Sequence, residues 1–186
     1  KSTFLRQIAV CVASGLHPFT GLRDDMPDGP RRVLVVDLQE DEIDLAHEMR
    51  ELRRSAGQAY RRGMLKATSR PQGMNLLEPR DQRWFRSLLA GHHPELVVMG
   101  PLVRLYRSTG GRSRYDEDLV DELTDVLDGL RVEFGFGLIL EGHAGNDRSS
   151  DEGWRVRGSS VWRSWPRFGL GLEKIDRPGG REAKVH

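Results

Sequence analysis

Two runs in this chain leave little choice of architecture. Arg32-Val33-Leu34-Val35-Val36-Asp37-Leu38 and Glu95-Leu96-Val97-Val98-Met99-Gly100 are almost continuously apolar and rich in β-branched residues. A strand with one wet face alternates apolar with polar residues. A strand covered on both faces does not, and such strands belong to parallel sheets packed between helices. Around these runs, apolar residues recur at helical spacing. Leu5, Ile8, Ala9 and Val12 form one stripe, ended by Gly15, and Ile43, Ala46, Met49 and Leu52 form another. Trp84, Phe85, Leu88 and Leu89 follow Pro79, with Gly91 beyond the helix end. Leu119, Val120, Leu123, Val126, Leu127 and Leu130 follow a cap at Asp116. Residues 64–68 and 136–140 read as further strands, and residues 18–30 as a loop. The alternation predicts an α/β fold, a mostly parallel sheet flanked by helices on both faces. Residues 161–175, with a turn at Arg177-Pro178-Gly179-Gly180, read as a C-terminal β-hairpin.

The 186 residues suit one domain with a sizeable core. With 37% hydrophobic and 31% charged residues the chain is expected to be globular, and no apolar run is long enough to span a membrane. Cys11, the only cysteine, excludes an internal disulfide and disfavours a cysteine-based metal site, which suits a reducing cytoplasm. A net charge of +1 gives no global pull toward nucleic acid, so any such surface must be local.

Ligands of open parallel sheets bind beyond the carboxyl ends of the strands. Past the first run lie Asp37, Gln39 and Glu40; past the second, Gly100-Pro101 and a basic loop with Arg104, Arg107, Arg112 and Arg114. Past the third come His143 and a loop with Asn146, Arg148, Trp154, Arg155 and Arg157. A carboxylate, a histidine and arginines on one edge suit phosphoryl transfer, which rests on positioning and charge neutralisation. Each has a plainer reading: Glu40 as a helix cap, His143 as a hydrogen-bonded structural residue, the arginines as solvated loop charge. The acidic face from Glu117 to Asp128 reads as solvated helix surface, and His92-His93 as surface without metal-ligand spacing. At the start, Lys1-Ser2-Thr3 running into a helix matches the end of the phosphate-binding motif G-x-x-x-x-G-K-S/T, cut just before its lysine.

Taken in order, Lys1-Ser2-Thr3, Val35-Val36-Asp37-Leu38-Gln39-Glu40, Leu96-Val97-Val98-Met99-Gly100-Pro101-Leu102, Ile139-Leu140-Glu141-Gly142-His143 and Arg157-Gly158-Ser159-Ser160-Val161 resemble the RecA-like P-loop ATPases of the AAA type. The closer likeness is to hexameric plasmid replicative helicases and DnaB-like phage and actinobacterial proteins. The resemblance implies a single RecA-like ATPase domain over residues 1–186, lacking its N-terminal strand and glycine-rich phosphate loop, with ATP and Mg²⁺ as cofactors. It implies that Lys1 contacts the β- and γ-phosphates, that the Ser2 hydroxyl ligates Mg²⁺, and that Thr3 shares this cofactor-binding end. Glu40 would polarise the attacking water, and His143 would stand at the sensor position. Arg157 would reach a nucleotide held by the neighbouring subunit. Arg107, Arg112, Arg114, Arg148 and Arg155 would hold single-stranded DNA.

One departure stands out: the aspartate that usually ends the Walker B strand is Gly100 here, so metal support would come from elsewhere, with Asp37 as candidate. The implied activity is that of an ATP-hydrolysing, helicase-like motor of replication or recombination, a homo-oligomer in the form of a hexamer. The alternative is a regulatory or loader-type ATPase without strand displacement. A third reading is an α/β binding module whose Lys1 start is accidental. Without a glycine loop to cradle the phosphates, the chain alone is expected to bind ATP poorly.

Overall fold

Four strands, β1 (Val33–Asp37), β2 (Leu65–Ser69), β3 (Leu96–Gly100) and β4 (Gly137–Leu140), form one sheet in the order β2-β1-β3-β4, with every pairing parallel. The computed structural model describes residues 2–26, 28–107, 116–143, 159–177 and 180–185. All five residues of β1 are buried, because successive side chains point to opposite faces and both faces are covered. Val33 and Val35 meet α1 (Ser2–Ser14) and α2 (Glu42–Ala56), with Val98 of β3 in the same cluster. Leu34 and Val36 meet α3 (Pro79–His92) and α4 (Glu117–Phe134), where Phe85, Leu89, Leu123 and Leu127 are fully buried. At about 1.5–3 kcal/mol for each large apolar side chain removed from water, these two clusters set the position of every element around the sheet. Among the described residues no helix is long and apolar enough to cross a membrane.

Helix limits follow from local chemistry. Gly15 ends α1 with a positive φ of 68°, which a side chain would oppose. Asp41 caps α2, its carboxylate accepting the N–H groups of Ile43 and Asp44, each at 2.9 Å. Leu45 and Met49 of α2 face the sheet, while Ile43, 80% exposed, and Ala46, also exposed, do not, against the expectation for both. Gly91 lies inside α3, which runs on to His92 and stops at His93 in the left-handed conformation. His92 is half-buried, its Nε2 3.0 Å from the Val33 carbonyl oxygen, and so belongs to the base of the sheet rather than to the surface.

The segment from Val161 corrects the sequence expectation. It is first a short helix, α5 (Val161–Ser164), and only later the antiparallel hairpin β5 (Leu172–Arg177) and β6 (Gly180–Val185). Trp162 is buried against Tyr106, with ring centres 6.4 Å apart, and meets Trp165 edge-on at 6.0 Å. Helical spacing brings the two indoles together, and Trp165 Nε1 donates to Asp128 of α4 at 2.9 Å. Asp128 therefore anchors this segment, while its neighbours Glu117, Asp118, Asp121, Glu122 and Asp125 are exposed, as expected.

Candidate active site

Sheet register brings three strand ends level. Asp37 pairs with Gly100, and Met99 with Leu140, so Asp37, Gly100 and Glu141 stand abreast at the carboxyl edge, where parallel sheets bind ligands. Helix α1 meets this edge with one face. Ser2 and Arg6 lie a turn apart on it. The Ser2 hydroxyl donates to Glu141 Oε2 at 2.9 Å. Arg6 Nη2 donates to Asp37 Oδ2 at 2.6 Å, and Arg6 Nη1 lies 3.1 Å from Glu40 Oε2 and also pairs with Glu48.

Arg6 is the electrostatic centre of this arrangement. Its side chain is 3% exposed, and a lone buried guanidinium would be costly to desolvate. Burial alone would lower its pKa, but hydrogen bonds to Asp37 and Glu40, with the fields of the two carboxylates, outweigh that and raise it. The cation is thus permanent, and it gathers carboxylates from β1, the following turn and α2.

Asp37 organises the turn that carries Glu40. Its Oδ1 accepts the N–H groups of Gln39 at 2.9 Å and Glu40 at 2.7 Å, while Oδ2 takes Arg6. Ser69 Oγ donates to the Glu40 carbonyl oxygen. Glu40 is therefore held through its N–H, its carbonyl and its carboxylate, with 38% of the side chain exposed at the rim. A carboxylate so placed can accept a proton from, or orient, a water molecule at the sheet edge. The helix-cap reading of Glu40 does not hold, since Asp41 takes that role. Asp37, the candidate for metal support, has both oxygens committed to Arg6 and the turn.

Gly100 is required by a close approach. A Cβ there would stand 2.5 Å from the Cβ of Glu141 and 3.3 Å from its Cα, so no side chain fits without moving β4. Glu141 is held in place by its own backbone, its N–H donating to Met99 O at 3.0 Å and its carbonyl accepting Leu102 N–H at 2.8 Å. It is 8% exposed.

Among the other expected site residues, Thr3 is exposed on α1 and His143 is exposed just past β4. Arg107 is exposed, and its guanidinium donates to the Gln72 carbonyl at 2.8 Å, as that of Arg104 does to Pro71 at 2.7 Å, tying the loop after β3 to the loop after β2. Lys1, Arg112, Arg114, Arg148, Arg155 and Arg157 lie outside the described residues. Sequence reasoning missed Arg6, Glu48 and the role of Glu141. The signals were there to find: Arg6, four residues from Ser2, is the only charged residue of α1, and Glu141 is the first polar residue after β4.

Compared with known families, residues 1–149 match the profile of the AAA domain. No curated protein matches the chain.

Proposed function

The chain belongs to the AAA domain family of P-loop ATPases, and we propose that it is an ATP-hydrolysing, DNA-associated motor of replication or recombination. In this reading residues 1–186 form one ATPase domain that works as a ring or filament. The observation that carries it is the carboxyl edge of the sheet, where Ser2 and Arg6 of α1 meet Glu141, Asp37 and Glu40.

The residues divide the work as follows. The N-terminus of α1, with Lys1 and Ser2, binds phosphate, because its free N–H groups and dipole favour anions there. Mg²⁺, when bound with the nucleotide, neutralises charge on the phosphate oxygens. Glu40 orients the attacking water and takes its proton, a contribution worth about 10²–10⁴-fold. Arg157 supplies positive charge to the nucleotide of an adjacent subunit, and Arg107, Arg112, Arg114, Arg148 and Arg155 track single-stranded DNA through phosphate contacts. His143, just past β4, links the two events.

The test is hydrolysis by the full-length protein with and without single-stranded DNA. The expected result is stimulation by DNA and a loss of about 10²–10⁴-fold in Glu40→Gln with nucleotide binding retained. Equal, near-background rates in both conditions, unchanged by Glu40→Gln, would sink the proposal. Arg157→Ala is expected to abolish hydrolysis while sparing nucleotide binding, and an equal loss of both in a monomer would remove the idea of a finger acting between subunits.

Gly100, which offers no carboxylate on β3, favours a second reading, a loader-type ATPase that assembles on DNA without translocating. Unwinding of a forked duplex supports the motor; binding without unwinding supports the loader.

A further inference from the structure

We infer that Glu141, on β4, does the work of the carboxylate missing from β3, so that Ser2 and Glu141 together form the protein's share of a divalent-cation site. This rests on the nucleotide-binding reading above. Three observations carry it.

The first is the contact itself. Ser2 Oγ donates to Glu141 Oε2 at 2.9 Å across 139 positions of chain. With its proton committed to the carboxylate, the hydroxyl oxygen keeps its lone pairs for a cation. The second is steric. The space a side chain at position 100 would need is filled by the Cβ of Glu141 at 2.5 Å, so a carboxylate can come from β3 or from β4, but not from both. The glycine is thus the counterpart of Glu141, and the acidic group has moved one strand along the edge.

The third is electrostatic. Glu141 is over nine-tenths buried, and among the described residues no lysine, arginine or histidine pairs with it, whereas Asp37 at the end of β1 has Arg6. A carboxylate so far removed from water is stabilised by positive charge beside it, and a divalent ion with its waters and a phosphate would supply that charge. Among the described residues there is no cluster of three or more His, Cys, Asp or Glu fit to hold a metal. That agrees with a Mg²⁺-type site, which uses one or two protein ligands plus phosphate oxygens and water rather than an all-protein cage.

The measurement is Mn²⁺ affinity of the full-length protein saturated with ADP, read by the electron paramagnetic resonance of free Mn²⁺, beside ADP affinity in EDTA. Glu141→Gln is expected to weaken Mn²⁺ binding by about 10- to 100-fold while ADP binding in EDTA is unchanged. Unchanged Mn²⁺ affinity in Glu141→Gln overturns the inference. Failure of the wild-type protein to bind ADP in either condition instead removes the nucleotide reading on which it rests. Should Glu141→Gln not fold, Glu141→Gly and the double variant Gly100→Asp/Glu141→Gly replace it, the second returning the carboxylate to β3. Loss of Mn²⁺ affinity in the single variant and its recovery in the double supports the inference; wild-type affinity in Glu141→Gly overturns it.

Discussion

Arg6 Nη2 and Asp37 Oδ2 are 2.6 Å apart, and this buried ion pair joins the first helix to the first strand while also holding the turn on which Glu40 sits. Breaking one side of such a pair leaves the other buried and uncompensated. Arg6→Met is expected to lower unfolding free energy by about 3–5 kcal/mol. In Arg6→Met/Asp37→Asn the combined loss should be smaller than the sum of the two single losses, because the variants share one contact. Urea denaturation of the four proteins measures the coupling. Additive losses would mean that the pair is not coupled.

Two glycines should respond in opposite directions. Gly100→Ala forces a Cβ against Glu141 at 2.5 Å, so β3 or β4 must shift, at a cost of about 1–3 kcal/mol. Gly91 is exposed within α3, and nothing lies within 4 Å of an added Cβ. There alanine is expected to stabilise by about 0.5–1 kcal/mol, through helix propensity and a less flexible unfolded chain. Thermal melts of both variants are the check; destabilisation by Gly91→Ala would contradict the open space beside it.

Stability should depend on pH through His92. Burial lowers its pKa below the ordinary value of 6.5; the hydrogen bonds with the Val33 and Met64 carbonyls oppose this, and the charges of Lys66 and Arg32 add to it. The unfolded chain therefore binds the proton more readily. The contribution is fully present above about pH 6.5 and is lost as pH falls through the lowered value. The urea midpoint is expected to drop between about pH 7 and 5, and His92→Gln should flatten that slope.

Two carboxylates act in a lower window. Burial of Asp81 is offset by the Asn75 N–H and Arg70, and Glu95 accepts the Arg32 N–H and pairs with Arg31, so both pKa values lie below the ordinary one. Their contributions are lost only at more acidic pH, which separates them from His92.

Trp162 tests whether the segment after the second basic loop belongs to the core. It is 4% exposed and packs on Tyr106 and Trp165. Trp162→Ala is expected to cost about 3–5 kcal/mol, measured by denaturant unfolding. A change below about 1 kcal/mol would mean that α5 merely rests on the surface.

The architecture was legible from the chain because burial on two faces leaves a continuous apolar run, and burial on one helix face leaves a 3.6-residue period. Val33 to Val36 and Val97 to Met99 show the first; Leu119, Leu123, Leu127 and Leu130 show the second. Where the pattern misled, a tertiary contact had the deciding vote. Packing of Leu45 and Met49 on the sheet leaves Ile43 and Ala46 to water, and two tryptophans packed on each other go with α5 where a strand was expected. The tryptophans carry no period that distinguishes these outcomes, because only their partners Tyr106 and Asp128 decide it.

The site divides along the same line. Sequence alone determined that Ser2 opens a helix, that Glu40 follows a buried strand, and that a glycine stands where an aspartate was expected. The tertiary structure alone decided that Arg6 rather than solvent meets Asp37 and Glu40, and that Glu141 fills the place left by Gly100. The physical reason is the kind of force involved. Hydrophobic burial is non-directional and writes itself into periodicity along the chain. A hydrogen bond between Ser2 and Glu141 depends on strand register and on a gap of one Cβ, which no spacing along the chain records.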